Sequence, residues 1–200
     1  MKSQAELSTP RARYRDQLRR AILDAAGEAF VQDGYGGVSM RKLAERVGCS
    51  HGNLYLHFKD KEALFDCLVE ESFEKFDAAM RAHPESARRG DPVEVVRKMG
   101  RAYVAFGLAN QSAYEFAFLM RRPDRDKPHP PYERLRWLAQ RCLDEKRFRP
   151  MDVDVASQVL WAAVHGITSL LILRPAFPWA DRETLIGQVV DAAVDGLLAS

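Results

Sequence analysis

Cysteine is scarce in this chain: three residues in 200, at positions 49, 67 and 142. They are odd in number and far apart, with neither the spacing of a zinc site nor that of a redox pair, so they read as reduced structural thiols. The first residues contain no apolar targeting segment, and the expectation is a cytoplasmic chain. Net charge is nearly absent as well: 30 Lys and Arg against 28 Asp and Glu leave +2, too little to name a partner. Gly34-Tyr-Gly-Gly37 lacks the Lys and the spacing of a phosphate loop. A nucleophile elbow, a His-Glu metal pattern and paired carboxylates are missing too. Asp152 and Asp154 precede a helical stretch, where acids suit the helix dipole. These absences exclude the common catalytic devices, and the expectation is no enzyme, no metal and no cofactor. Internal repeats and low-complexity segments are also lacking.

What remains is helix. Hydrophobic residues make up 46% of the chain, enough for a filled core. Arg15 to Asp33 places Leu18, Ile22, Ala25, Ala26, Ala29 and Phe30 on one face and ends at Gly34. Beyond residue 60 the periodicity predicts helices near 60–82, 92–109, 112–121, 131–147, 152–173 and 181–198. Breaks rich in Pro and charge separate them. Val155 to Leu173 is 19 residues without a formal charge, almost the length of a membrane span. It contains Ser157, Gln158, His165, Thr168 and Ser169, so it reads as a buried bundle helix and no membrane partner is expected.

The most informative stretch is Val38 to Phe58. Ser39 can cap a helix whose apolar face is Met40, Leu43, Ala44 and Val47. Gly48 can end it in the left-handed conformation. Ser50 can cap a second helix that buries Leu54 and Phe58. His51, Gly52, Asn53, Tyr55, Leu56 and His57 then point elsewhere. A helix-turn-helix docks the start of its second helix onto base edges in the major groove. Asn53 could pair with adenine and Leu56 could pack on a thymine methyl, while Gly52 allows close backbone approach. An ordinary helical hairpin is the alternative. A scaffold that binds only protein would not need Asn53 or His51 exposed.

The flanks add a family. Phe30-x-x-x-Gly34-Tyr35, Met40-Arg-Lys-Leu-Ala44, Val47-Gly-Cys-Ser50 and Leu54-Tyr-Leu-His-Phe58-Lys-Asp-Lys61-Glu-x-Leu64 together resemble the TetR family of bacterial repressors. Cys49 stands where Val is commoner, and Leu56 where many members carry a polar or larger aromatic residue. The resemblance implies that Arg41 touches phosphate or base, and that His51, Gly52 and Asn53 read bases. It implies that Tyr55, His57 and Lys61 meet the phosphate backbone, the last helped by helix N-terminal amides. For Tyr55, packing on the first helix of the pair is the equal alternative. Ser39, Ser50 and Leu56 complete the expected DNA-binding set.

Charge agrees with this placement. Residues 1–61 hold 11 Lys and Arg against 7 Asp and Glu, and the remainder holds 19 against 21. Arg11, Arg13, Arg15, Arg19 and Arg20 are the densest cluster, either a solvated tail and helix start or an arm near the DNA backbone.

Leu160-Trp-Ala-Ala-Val-His-Gly-Ile-Thr-Ser-Leu-Leu171 resembles the Trp-His-Gly motif of one class of TetR-family C-terminal domain. The implied protein is all-α, with a flexible arm over 1–14. A three-helix helix-turn-helix domain follows over 15–62, then a helical bundle for ligand binding and dimerisation over 63–200. Its implied partners are a double-stranded DNA operator, a small-molecule effector and a second copy, joined through the last two helices. Ala162, Gly166 and Ser169 offer a small-residue stripe for that contact; Val189, Val190, Ala193, Val194 and Leu197 offer an apolar one. Tyr103, Phe106, Phe116, Met120, Trp137, Trp161 and His165 are candidates for the effector wall and suggest an apolar or aromatic ligand. Each also fits plain core, and His165 fits a core histidine with one hydrogen bond.

Overall fold

The computed structural model describes residues 9–81, 90–120 and 130–199. The chain divides into two compact units, Met1–Glu71 and Ser72–Ser200, and the division falls within one helix.

The N-terminal unit begins with α1, Pro10–Gly37. Thr9 starts it: its Oγ1 accepts from the Ala12 N–H at 3.2 Å, and Pro10 fills the first helical position. Residues 10–14, expected as flexible arm, are therefore helical, because the Thr-Pro start signal lies upstream of Arg15. Residues 1–8 of that expected arm lie outside the described residues. Gly34 interrupts α1 at φ 69°, a left-handed value open to glycine. Then come α2, Met40–Val47, and α3, His51–His57, and after them α4, Lys61–Met80. Ile22, Leu23 and Phe30 of α1, Leu43 of α2 and Leu54 of α3 form the core. The first half of α4 belongs here because Phe65 meets the Phe30 ring edge-on at 5.1 Å and Glu71 takes Arg20 at 2.8 Å. That packing carries this unit past residue 62, the limit expected from sequence.

In the C-terminal unit, α5 (Pro92–Ala109) is followed by α6 (Gln111–Tyr114) and a π-helical turn over Glu115–Leu119. Then come α7 (Pro130–Asp144), α8 (Val153–Leu173) and α9 (Arg182–Asp195). The apolar α8 is the centre of the bundle and packs against α5, α7 and α9. By length and composition it could cross a membrane. It is used instead as a core helix: Ala156, Leu160, Val164, Ile167 and Leu171 are buried. Its buried hydroxyls bond backward within the helix, Ser157 to the Val153 carbonyl at 2.7 Å and Thr168 to that of Val164 at 2.6 Å. At Gly107 on α5 a Cβ would lie 2.4 Å from Thr168 Cγ2, so only glycine lets α5 approach α8 this closely.

Two helices are shorter than their periodicity predicts. α7 ends at Asp144, and Lys146 turns the chain at φ 54°. α9 ends at Asp195, and Leu198 then bridges to Phe148, with Arg149 N–H donating to the Leu197 carbonyl at 2.9 Å. Backbone pairing of the two tails, invisible to helical periodicity, outcompetes a further helical turn at each end. Among the described residues that bridge is the one piece of β pairing.

Candidate nucleic-acid interface

Local chemistry builds α2 and α3. Ser39 Oγ accepts from the Lys42 N–H at 3.3 Å, and Ser50 Oγ from the Asn53 N–H at 3.1 Å. Between the helices Gly48 sits at φ 75°, ψ 30°, and its N–H and that of Cys49 both reach the Ala44 carbonyl at 3.0 Å. Leu54 is the fully buried residue of α3, and Phe58 anchors its end. His51, Gly52, Asn53, Tyr55 and Leu56 are all exposed, Leu56 by 83%. Gly52 and Leu56 are one helical turn apart, with Asn53 beside them, so the three share one solvent-facing strip. A Cβ at Gly52 would meet no neighbour within 4 Å, so glycine is not required there by packing.

Tyr55 is 44% exposed, and its ring meets His51 edge-on at 4.8 Å within α3 itself. His57 is half-buried. Burial, then the Arg15 and Arg19 guanidiniums, lower its pKa, so at neutral pH it is an uncharged donor and acceptor. Arg41 is exposed and stands 3.9 Å from Glu45, too loose a pair to hold it. Lys61 is engaged differently from expectation. Its Nζ donates to the Tyr35 carbonyl at 2.8 Å and sits 4.3 Å from the Tyr35 ring centroid. The α4 amide of Ala63 is taken by Asp60 Oδ1 at 2.7 Å.

The arginine cluster divides. Arg11, Arg13 and Arg15 are exposed. The Arg19 guanidinium lies over the Phe58 ring at 5.2 Å and donates to Cys67 Sγ at 2.9 Å. Arg20 bridges Asp24 and Glu71 at 2.7 and 2.8 Å. These last two arginines tie α1 to the end of α3 and to α4, a role that their sequence positions alone do not reveal.

The C-terminal unit holds a small apolar cavity of about 40 Å³. Phe76, Met99, Tyr103, Tyr132, Trp161 and Val164 are prominent in its wall. Of the residues expected from sequence, Tyr103 and Trp161 line it. His165 stands behind Tyr103, its Nδ1 3.2 Å from that hydroxyl and 2.7 Å from the Tyr114 hydroxyl. Phe106 and Phe116 are buried in core, Met120 is half-buried, and none of these three is among the described wall residues. Trp137 is 49% exposed, because the buried face of α7 runs through Leu135, Leu138, Ala139 and Cys142. The sequence did not single out Phe76, Met99 or Tyr132 of the wall, or Tyr114 behind it. Tyr132 had one usable signal, the Pro130-Pro131 helix start just before it.

The two stripes expected to meet a second copy face different ways. Val190 and Val194 of α9, and Leu197 just beyond its end, are buried within their own unit at 3% exposure or less. On α8, Ala162 and Gly166 of the expected small-residue stripe lie on an outward apolar face, beside exposed Val155, Val159, Leu170 and Leu173. Among the described residues no group of three His, Cys, Asp or Glu side chains could hold a metal ion.

A capped helix-turn-helix with an exposed second helix, in one chain with a helical bundle that encloses an apolar cavity, is the architecture of a helix-turn-helix regulatory protein. Residues 22–68 match the model of the bacterial regulatory proteins of the tetR family, and residues 96–197 match the tetracyclin repressor-like C-terminal domain. The chain belongs to the TetR family. The C-terminal description does not separate the Trp-His-Gly class from others. Over 128 residues the chain is 34% identical to the HTH-type transcriptional repressor AcnR of Corynebacterium diphtheriae, covering 64% of this chain and 60% of that one. Less than two thirds of that relative's length is therefore matched. The chain is 28% identical over 160 residues to the HTH-type transcriptional regulator YobS of Bacillus subtilis, covering 80% and 81% of the two. Its fold is similar to the TetR family transcriptional regulator PfmR from Thermus thermophilus. The TM-score is 0.68 at 24% identity, over 89% of this chain and 99% of that one.

Proposed function

We propose that this protein is a ligand-responsive transcriptional repressor that binds a palindromic operator as a homodimer. The observation that carries the reading is the exposed strip of α3. Gly52, Asn53 and Leu56 face solvent on a helix that Leu54 and the Ser50 cap hold in place. The strip offers an amide for a base edge and an apolar end for a thymine methyl. Ser39, Ser50, Tyr55, His57 and Arg41 border it as phosphate-side groups, and their hydroxyls, imidazole and guanidinium remain able to donate. Lys61 joins them if it leaves Tyr35. The name repressor comes from the AcnR relative.

The homodimer follows from affinity and from surface. One seven-residue recognition helix contacts too few bases for tight binding, whereas a two-fold pair reads two half-sites. The outward apolar face of α8, beside α9, supplies a surface that a second copy would cover. A small molecule in the C-terminal cavity would favour a conformation with lower operator affinity, and operator would weaken the small molecule by the same factor. The role is regulatory and not catalytic, and a DNA partner suits a cytoplasmic protein.

Selection of bound duplexes from a random pool, followed by sequencing, tests the reading. The expected product is a pseudo-palindrome with half-site centres about 10 bp apart or a multiple of that. Enrichment of no sequence over the starting pool would sink the proposal. Enrichment of asymmetric single sites would remove the dimer.

A further inference from the structure

We propose that the C-terminal cavity takes a compact, uncharged ligand with a single carbonyl-type oxygen, and that the Tyr103 hydroxyl donates to that oxygen. This names the ligand class of the effector site, and it rests on the reading that the chain answers to a small molecule.

The wall sets the charge. Its described residues are aliphatic, aromatic or sulfur-bearing, and no Lys, Arg, Asp, Glu or His is among them. An ion entering would lose its hydration with no opposite charge in the wall to replace it, a loss that apolar contact does not offset. A neutral apolar body gains from each part of its surface that leaves water. The resting free space is roughly 40 Å³, close to that of one or two waters, so it does not itself cap the size of the ligand. A ligand larger than this must part the wall. Tyr132, half-buried at the start of α7 and edge-on to Trp161 at 5.6 Å, is placed to move.

Of the two hydroxyls in the wall, that of Tyr103 is the buried one, and a proton count shows that it is poorly paired. The wall's polar side-chain groups are the Tyr103 and Tyr132 hydroxyls and the Trp161 indole N–H. Trp161 donates to the Tyr103 oxygen at 3.4 Å. Behind the wall, Tyr114 Oη lies 2.7 Å from His165 Nδ1, while Tyr103 Oη lies 3.2 Å from that nitrogen and 3.3 Å from Tyr114 Oη. A neutral imidazole offers at Nδ1 either one lone pair or one proton. With a lone pair, the nearer Tyr114 hydroxyl fills it. With a proton, Nδ1 donates to the Tyr114 oxygen, and the Tyr114 proton turns to the His165 carbonyl at 3.4 Å. In either tautomer the acceptors within reach of the Tyr103 proton are His165 Nδ1 at 3.2 Å, when it holds a lone pair, and Tyr114 Oη at 3.3 Å, both beyond the usual distance of about 2.5–3.0 Å. A buried donor with a poor acceptor therefore stands in the wall, and a ligand carbonyl at normal distance is the better partner. Burial holds the Tyr103 pKa near 12, so the hydroxyl stays a donor at neutral pH. Burial also lowers that of His165, so no imidazolium stands behind the wall to attract an anion.

The test uses the full chain without DNA and three ring probes of similar size: acetophenone, ethylbenzene and benzoate. Binding is followed by calorimetry and by the shift of the Trp161 indole N–H resonance. Acetophenone is expected to bind about five- to tenfold more tightly than ethylbenzene, and benzoate at least about 100-fold more weakly than acetophenone. Tyr103→Phe should bring the two neutral probes to within about twofold, while Tyr114→Phe leaves their difference in place. Benzoate binding as well as acetophenone, or no saturable binding by either neutral probe, would overturn the proposal; so would a ketone preference that survives Tyr103→Phe. The comparison of probes on the native chain decides the ligand class even if Tyr103→Phe does not fold. Neutral probes that bind as expected but leave operator affinity unchanged would sink the regulatory reading alone.

Discussion

The second helix of the helix-turn-helix and the central helix of the bundle use their side chains in opposite ways. α3 buries Leu54, with Phe58 at its end, and leaves Leu56 83% exposed. α8 fixes its place by burying residues along its whole length and closes its own hydroxyls backward onto the Val153 and Val164 carbonyls. Each helix gets its stability from a different source. α3 is held by a cap, a glycine turn and two anchors, so most of its surface is spare. α8 is held by packing on several sides, so its spare surface is confined to one stripe through Val155, Val159, Leu170 and Leu173.

The largest effect should separate the bundle core, in which Phe76 packs with Val164, Ile167 and Leu171 of α8, from the exposed strip of α3. Phe76 is 2% exposed among the rings of Tyr103, Phe106 and Phe118. Phe76→Ala should lower the unfolding free energy by about 3–5 kcal/mol in denaturant titration. Leu56→Ala should change it by no more than about 0.5 kcal/mol. A comparable loss from Leu56→Ala would mean that the α3 face is structural. Next in size is recognition: Asn53→Ala should forfeit about 1–3 kcal/mol of discrimination between the selected operator and a mutated one. Arg41→Ala should instead weaken all duplexes alike and lower the salt slope by about 1. Matching effects from the two would erase the division between base-reading and phosphate-holding groups.

A smaller effect separates caps from packing. Ser50→Ala should cost about 1 kcal/mol of stability, recovered in large part by Ser50→Asp, since both native and replacement side chains can accept from the Asn53 N–H. Equal losses from the two variants would remove the cap from the account. The smallest effect is in pH. Burial lowers the pKa of His165 below its ordinary 6.5. Its contribution to stability is therefore complete above that value and is lost as pH falls from there through the folded pKa. Half-buried His57 acts in the same direction, whereas Glu115, raised by burial, favours the folded state at acid pH and loses that contribution as pH rises from 4.5 through its folded pKa. Thermal unfolding from pH 8 to pH 5.5 should show a falling midpoint that His165→Phe flattens in part. An unchanged pH profile in that variant would show that His165 carries none of it.

The N-terminal unit was legible because its signals are local. Ser39, Gly48 and Ser50 each act on backbone groups three or four residues away, so their spacing is enough to place α2, the turn and α3. The start of α1 was misplaced because the Thr9-Pro10 signal stands five residues before the first strongly periodic stretch. The cavity was far less legible. Phe106, Phe116, Met120 and Trp137 satisfy the same composition as Tyr103 and Trp161, yet they fall outside the described wall. An amphipathic period says which side of a helix is buried, but a cavity wall depends on which other helix that side meets. Arg19, Arg20 and Lys61 show the same limit for charge: each reads as a free cation in sequence and is engaged with Cys67, Glu71 or Tyr35 in the fold.

The all-helical chain of the TetR family, the glycine turn and the caps that leave α3 with a spare outer face can be read from the sequence. These follow from backbone hydrogen bonding and hydrophobic period, which act over a few residues. Tertiary structure alone decided that Tyr103, Tyr114 and His165 share one buried hydrogen-bond cluster and that α8, not α9, presents the outward apolar stripe. It also decided that α4 is shared between two compact units. The hydrogen-bond cluster depends on Tyr103 and Tyr114 meeting His165, 62 and 51 residues further along, and no spacing along the chain encodes such a meeting.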